Sequence, residues 1–170
     1  MSGPITTRLA ELGIELPEPA APAANYIPFV VTGNLIFVSG QITVWNGELR
    51  HIGRLGENID IDEGYQAARL CGLNLIAQAK AAAQGDLDKI KRVVKLGGFV
   101  NSTPDFTDQA LVIDGASDLF HALYGDRGWH SRTAPGIAAA PGNIAVIVDC
   151  VVEVSSEAPP VETCGPSSMT

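Results

Sequence analysis

Residues 35–41 read Leu35-Ile36-Phe37-Val38-Ser39-Gly40-Gln41, an apolar strand that ends in small and amide residues. A shorter apolar run at 29–31 precedes it, and Thr32-Gly33-Asn34 between the two predicts a tight hairpin. The next apolar run, 42–45, meets Asn46-Gly47, the strongest two-residue signal for a type I′ turn. The sheet is therefore predicted to begin with antiparallel strands joined by short turns.

Working outward, the first long helix is predicted from its capping pattern. Asp60 can cap the helix while Glu63 occupies its third position, as in a capping box. Small and apolar residues follow at helical spacing over 67–82, which would let the helix lie close to a sheet. Gly85 is expected to end it.

A central strand and a second helix come next. The strand is predicted over 90–100, with Gly97-Gly98 as a bulge or a point of close approach. The second helix is predicted to open at 104–107 and to end at Gly125. Its apolar stripe is regular and comprises Val112, Ala116, Leu119, Phe120 and Leu123.

The last part of the sheet is predicted from two stretches. Residues 132–140 are predicted as a strand weakened by Pro135, which would lie at a sheet edge or at a subunit junction. Residues 145–154 form the final strand, and Ile147 and Val151 lie on the face away from the helices. The fold class is α+β, a mixed sheet with two helices on one face. Because the other face must be covered, we expect a homo-oligomer.

Length and composition favour one folded domain. At 170 residues, with 46% hydrophobic and 18% charged residues, the chain is long enough for a core and too apolar for disorder. Residues 1–25 are predicted as an N-terminal lead-in with a brief helix, residues 26–154 as the single domain, and residues 155–170 as a disordered tail.

Charge and cysteine usage limit the partners and the compartment. A net charge of −8 with 6% aromatic residues disfavours nucleic acid. No bilayer-spanning run or signal peptide is evident, so we expect no membrane association. Cys71, Cys150 and Cys164 lack metal-ligand spacing, so neither a disulfide framework nor a metal site is expected. A cytoplasmic location without a cofactor fits best.

Several separated residues together resemble the YjgF/RidA family of reactive-intermediate deaminases. Tyr26 precedes Ser39-Gly40-Gln41 at the family spacing, Arg132 falls on the family arginine, and Pro141 keeps the proline of the following turn. The insert at 126–130 indicates a divergent, longer subgroup. The resemblance implies a chorismate-mutase-like fold that forms homotrimers, with sites in clefts between subunits.

The same resemblance assigns candidate site residues. The family hydrolyses enamines or imines derived from amino acids, so the implied partner is a small carboxylate-bearing metabolite. Arg132 would anchor the carboxylate, Ser39 and Gly40 would orient the substrate, and Tyr26 would wall the pocket. Asp114, at the position of the family's helical asparagine, completes the catalytic candidates. Thr133, Ala134 and Asp149 are further substrate-binding candidates.

Each candidate also has a structural interpretation. A guanidinium matches a carboxylate in shape and charge, but Arg132 could equally form a salt bridge between subunits with Asp114 or Asp149. Ser39-Gly40-Gln41 alone would be an ordinary turn, and Tyr26 could simply pack its ring and hydrogen-bond its hydroxyl.

The chain departs from the family at three positions. Ile147 stands where the resemblance expects the water-activating glutamate, Ala134 where it expects a cysteine, and Asp114 where it expects asparagine. Loss of a positioned proton-transfer group costs about 10²–10⁴-fold in rate. Asp149 could substitute, since it shares a strand face with Ile147, about 6.6 Å further along.

Three functions therefore follow from the sequence. The first is enamine or imine deamination at an intersubunit cleft. The second is a non-catalytic trimer that binds a small carboxylate metabolite, which Ile147 favours. The third is an endoribonuclease or translation inhibitor, which the acidic charge disfavours.

Overall fold

A computed structural model describes residues 3–22 and 24–155. The predicted disordered tail at 155–170, with Cys164, lies outside the described residues except for Ser155. Three α-helices and eight strands make up the described part of the chain. In chain order they are α1 (Pro4–Glu11), β1 (Phe29–Thr32), β2 (Leu35–Gln41), β3 (Val44–Trp45), β4 (Glu48–Leu49), α2 (Ile61–Ala82), β5 (Ile90–Asn101), α3 (Gln109–Tyr124), β6 (Ser131–Thr133), β7 (Gly136–Ile137) and β8 (Val146–Val154).

One mixed sheet organises the fold. Its strand order is β1-β2-β8-β5-β6, and β7 also pairs with β5. Strands β1, β2, β8 and β5 are mutually antiparallel, whereas β6 and β7 run parallel to β5. Strands β3 and β4 form a separate hairpin around Asn46 and Gly47, whose φ angles are +48° and +88°. The mixed α+β architecture predicted from the sequence is confirmed.

The core lies between the sheet and the helices. Helices α2 and α3 pack against each other and cover one sheet face, as predicted. In β8 the residues Val146, Val148, Cys150, Val152 and Val154 are buried, and the residues between them are only half-buried. The short helix α1 adds Ile5 and Leu9 to the same buried cluster.

The predicted cap of α2 is confirmed in detail. The Asp60 carboxylate accepts a hydrogen bond from the Glu63 backbone N–H at 2.8 Å. This bond satisfies one of the otherwise unpaired N–H groups in the first helical turn. At the other end the helix stops at Ala82, and Gly85 follows with φ of +88°.

The predicted start of the second helix is wrong. Helix α3 begins at Gln109, because the Phe106 N–H bonds to Thr103 O and closes a turn first. The stripe at 112, 116, 119, 120 and 123 is buried as predicted.

Two details of the predicted strands also differ. The strand predicted over 132–140 is divided into β6 and β7, because Pro135 between them has no N–H to donate. The bulge alternative for Gly97-Gly98 is wrong, since the register shifts of β5 lie between 90 and 95. The glycines instead permit close approach, with the Asp149 carboxylate over Gly97 and the Ile113 side chain over Gly98.

A close contact between the two main helices depends on one glycine. A Cβ at Gly115 in α3 would overlap the carbonyl oxygen of Tyr65 in α2, and backbone atoms cannot move aside as a side chain can. We predict that Gly115→Ala lowers the free energy of unfolding by about 1–3 kcal/mol, the range for overpacking, although alanine has the better helix propensity.

Urea unfolding followed by circular dichroism measures this change. The matched control is Leu111→Ala on the exposed side of the same helix, which should stay within about 0.5 kcal/mol of the wild type. A Gly115→Ala variant as stable as the wild type would mean that the two helices do not pack this closely.

Candidate functional site

The main apolar cavity, here the first cavity, has a volume of about 810 Å³ and opens beside the end of β2. One wall is the N-terminal segment that precedes β1. The opposite walls are the β3–β4 turn and the residues before and at the start of β8. The lining residues are Glu18, Pro19, Ala20, Ala21, Pro22, Ala24, Tyr26, Pro28, Gly40, Gln41, Ile42, Val44, Asn46, Gly47, Pro141, Ile144 and Ile147.

Hydrogen bonds fix the N-terminal wall of the first cavity. The Gln78 side chain on α2 donates to Ala20 O at 2.7 Å, and the Glu18 N–H donates to the Asn46 side-chain oxygen at 2.9 Å. Pro17, Pro19 and Pro22 restrict this segment to extended conformations. The wall is therefore held at both the helix and the hairpin.

Ser39 holds the N-terminal wall in place through two hydrogen bonds. Its hydroxyl donates to Ile27 O at 2.8 Å, and its backbone N–H donates to Pro28 O at 2.8 Å. Ser39 is not among the residues that line the first cavity. Within one chain it positions the segment that carries Tyr26, which lines the cavity and is 43% exposed.

Gly40 and Ile147 meet across neighbouring strands. A Cβ at Gly40 would lie 3.0 Å from Ile147 Cγ2, so the absence of a side chain at 40 makes room for the isoleucine. Ile147 is half-buried and forms part of the cavity wall. The position at which the resemblance expects a glutamate is thus an apolar surface.

Arg132 lies at the other edge of the sheet and is held by α3. Its guanidinium donates to Asp114 Oδ1 at 2.7 Å, to Ser117 Oγ at 3.0 Å and to Ala110 O at 3.4 Å. The Arg132 side chain is 24% exposed and that of Asp114 is 40% exposed. Arg132 therefore pairs with Asp114 within one chain, whereas the structural interpretation from the sequence placed such a salt bridge between subunits.

The insert at 126–130 places a histidine against this cluster. His130 Nδ1 lies 2.6 Å from Gly128 O, and Nε2 lies 3.0 Å from Ser117 Oγ. Since the carbonyl can only accept, Nδ1 carries the proton and Ser117 donates to Nε2. Burial, with Arg132 nearby, lowers the pKa of His130 below its ordinary value despite its bond to Gly128, so the ring is neutral at pH 7.

Asp149 and Thr133 belong to a third location, on the sheet face opposite the helices. Gly97 pairs with Asp149 on one side and with Thr133 on the other. Burial raises the pKa of Asp149, while Lys95 and the Gly97 N–H partly offset that shift. Ala134 packs against the core. None of these residues lines the first cavity.

The sequence-predicted site residues thus fall into separate groups within one chain. Tyr26 and Gly40 line the first cavity, with Ser39 behind it. Arg132 pairs with Asp114 at the far edge, because β8 and β5 lie between β2 and β6. Among the described residues, no three His, Cys, Asp or Glu side chains come together in a way that could hold a metal ion.

Sequence reasoning missed the N-terminal wall. The sequence predicts only a lead-in at residues 18–22, yet these residues line the cavity with Gln41, Ile42 and Val44. The spaced prolines were the available signal, because they predict an extended segment that can lie along a surface. The partner of that segment, Gln78, could not be found from local patterns.

Comparison with known proteins agrees with this architecture. Residues 6–154 match the family described as YjgF/chorismate mutase-like, a description that also names a candidate endoribonuclease activity. The chain belongs to this family. The resemblance inferred from Tyr26, Ser39-Gly40-Gln41 and Arg132 is therefore confirmed at the level of family and fold.

Three similar proteins illustrate the relationship. Protein TCP17 of Trypanosoma cruzi is 46% identical over 156 residues, which is 91% of this chain and 97% of that protein. The solved structure of Atu1372 from Agrobacterium tumefaciens, described as of unknown function, is 47% identical in sequence to this chain. The match spans 89% of this chain and 93% of Atu1372, with a TM-score of 0.83. The structure of a candidate endoribonuclease from Shewanella oneidensis is 37% identical in sequence to this chain. The match spans 88% of this chain and 99% of the Shewanella protein, with a TM-score of 0.85.

No helix in 3–22 or 24–155 is long and apolar enough to cross a bilayer.

The pKa of Asp149 gives a pH-dependent prediction. A carboxyl whose folded pKa is raised destabilises the folded state when it is ionised, and this cost disappears as pH falls through the folded pKa. We therefore expect Asp149→Asn to raise the free energy of unfolding at pH 7 and to change it little at pH values near and below the ordinary carboxyl pKa.

Urea unfolding at pH 7 and at pH 4 measures the difference. Asp126→Asn, an exposed change in the insert, is the control and should have little effect at either pH. An Asp149→Asn variant that is less stable than the wild type at pH 7 would show that the ionised carboxylate stabilises the fold.

Proposed function

We propose that this protein binds a small carboxylate-bearing metabolite in the first cavity without hydrolysing it by the route that the family resemblance implies. The observation that carries the proposal is Ile147 on the cavity wall. An isoleucine can hold the carbon skeleton of a ligand but can neither activate water nor transfer a proton.

The carboxylates near the first cavity do not replace the missing glutamate. Asp149 follows Ile147 on the same strand face, but its carboxylate lies over Gly97 and outside the cavity lining. Glu18 is the carboxylate among the lining residues, and it is exposed on the N-terminal wall. A solvated carboxylate at the rim lacks the burial that tunes a catalytic base.

A carboxylate anchor would have to come from a second copy of the chain. Among the described residues, no arginine or lysine lines the cavity, and Arg132 lies at the opposite sheet edge. We propose a homotrimer in which Arg132 of one subunit faces the first cavity of its neighbour. Exposed Val30 and Phe37, with half-buried Ile147 and Val151, support an interface on the uncovered sheet face.

Asp114 would limit how tightly such an anchor binds. Its carboxylate already lies 2.7 Å from the Arg132 guanidinium and competes with an anionic ligand for the same charge. Only Nη1 of the guanidinium forms short hydrogen bonds, whereas Nη2 lies 3.4 Å from Ala110 O and can still donate to a ligand. We infer a site suited to weak, reversible binding of a small anion.

Enamine or imine deamination is the second candidate. It is favoured by Tyr26 and Gly40 lining one cavity and by a guanidinium that remains partly exposed. The endoribonuclease activity named for the family and for the Shewanella relative has less support, because the net charge of −8 opposes a phosphate backbone. Free, buried Cys71 and Cys150 support a cytoplasmic location for any of these functions.

The binding proposal and the deaminase alternative predict different rates of ammonia release from enamines that an amino-acid oxidase generates in situ. We expect the wild type to release ammonia no faster than the uncatalysed background. We expect Ile147→Glu to exceed background, because it restores a carboxylate at the cavity wall. The matched control is Ile147→Gln, which has a similar shape and cannot act as a base.

If the wild type releases ammonia above background and Arg132→Ala does not, the binding proposal is contradicted and deamination is established. Folding of each variant is checked by thermal unfolding. An Ile147→Glu variant that folds and stays at background would show that the glutamate alone does not account for the missing activity.

Ligand binding itself is measured by the rise in melting temperature with 2-ketobutyrate. We expect Asp114→Asn to bind about tenfold more tightly, because it removes the charge that competes for Arg132, and Arg132→Ala to lose binding. Asp118→Asn, on the same helix and bonded to Tyr65, is the charge-matched control and should match the wild type. Equal affinity in Asp114→Asn and wild type would show that Asp114 does not compete for the anchor, and unchanged binding in Arg132→Ala would exclude Arg132 as the anchor.

A further inference from the structure

A second, smaller cavity lies on the other side of the β3–β4 hairpin. Its volume is about 310 Å³, and it shares no lining residue with the first cavity. Three elements enclose it: the residues that follow α1, the hairpin and α2. Its lining includes Glu15, Trp45, Arg50, Arg69, Leu70 and Leu73. His51 also lines the cavity, and its Nδ1 lies 3.2 Å from the Glu63 carboxylate.

The wall formed by the chain after α1 is fixed locally. Gly13 has φ of +62°, and the N–H groups of Gly13 and Ile14 bond to Ala10 O at 3.1 Å and to Leu9 O at 2.9 Å. These bonds end α1 and turn the chain towards the hairpin. A wall held by backbone hydrogen bonds gives the cavity a defined shape without a ligand.

Arg69 is the unexplained group in this cavity. It is half-buried on α2, and within residues 3–22 and 24–155 its side chain forms no hydrogen bond and no ion pair, although its charge partly offsets the rise that burial causes in the pKa of Tyr65. The other cation, Arg50, is already bonded to Glu48 at 2.9 and 3.2 Å. Among the described residues the cavity therefore presents one guanidinium to which no carboxylate is directly bonded, and such a group favours an anion.

The rest of the lining defines the kind of anion. The Trp45 ring is half-buried, and the Arg50 guanidinium lies 5.7 Å from its centroid. Leu70 and Leu73 supply an apolar floor. A flat apolar group fits a wall of indole and leucine side chains. Glu15, on the wall after α1, disfavours a ligand with more than one negative charge.

We propose that this second cavity is a binding site for an aromatic monocarboxylate, with Arg69 as its anion anchor and Trp45 as its ring contact. The volume lies at the small end of the range of about 300–1,000 Å³ for ligand pockets, which limits the ligand to a single ring with a short carboxylate arm. The inference does not rest on the proposed function, since the two cavities are separate.

Phenylacetate titrated into the full-length protein tests the site through tryptophan fluorescence. Because Trp45 and Trp129 are the two tryptophans of the chain, Trp129→Phe leaves Trp45 as the reporter. We expect a saturable change in Trp45 emission. Phenylacetamide, which has the same ring without the charge, should bind at least about tenfold more weakly.

Variants of Arg69 test the anchor. Arg69→Gln should weaken phenylacetate binding about tenfold or more, and Arg69→Lys should retain part of the affinity because it keeps the charge. Arg92→Gln, an exposed arginine on β5, is the matched control and should bind as the parent does.

Three outcomes would overturn the proposal: no saturable change, equal binding of acid and amide, or equal affinity in Arg69→Gln and Arg92→Gln. Thermal unfolding shows whether Arg69→Gln is folded. Should that variant not fold, the comparison of acid with amide in the Trp129→Phe background decides alone. Binding that survives in Arg69→Gln would assign phenylacetate to another part of the molecule.

Discussion

The alternation of side chains along β8 determines both the core and the candidate site. The strand lies between β2 and β5, so its backbone is paired on both sides. Its even-numbered residues are buried beneath the helices, and its odd-numbered residues face the uncovered side of the sheet. A shift of one residue in register would exchange these two sets, so the core that stabilises the fold also fixes Ile147 at the cavity wall and Asp149 over Gly97.

Small residues complete this arrangement where β8 side chains cross neighbouring strands. Gly40 makes room for Ile147, and Gly97 makes room for Asp149. The family resemblance identified Gly40 through its motif and identified Ile147 as a departure. The two residues meet in space, and the isoleucine uses room that a side chain at position 40 would fill.

Features with a local cause could be predicted from the sequence. The Asn46-Gly47 turn, the Asp60 cap and the apolar stripe of α3 each depend on residues that are close along the chain. The start of α3 was placed too early, because the turn closed by Thr103 and Phe106 competes with the helix there. The pairing of Arg132 with Asp114 and the packing of residues 18–22 against Gln78 depend on tertiary contacts, which no local pattern contains.

The two halves of the proposed site lie at opposite edges of one sheet, so assembly is central to the account. A crystal structure of the protein with 2-ketobutyrate tests it most directly. We expect a homotrimer in which the ligand's carbon chain lies against Ile147 and its carboxylate contacts Arg132 of the neighbouring subunit. A monomer, or a ligand carboxylate with no contact to any Arg132, would contradict the account.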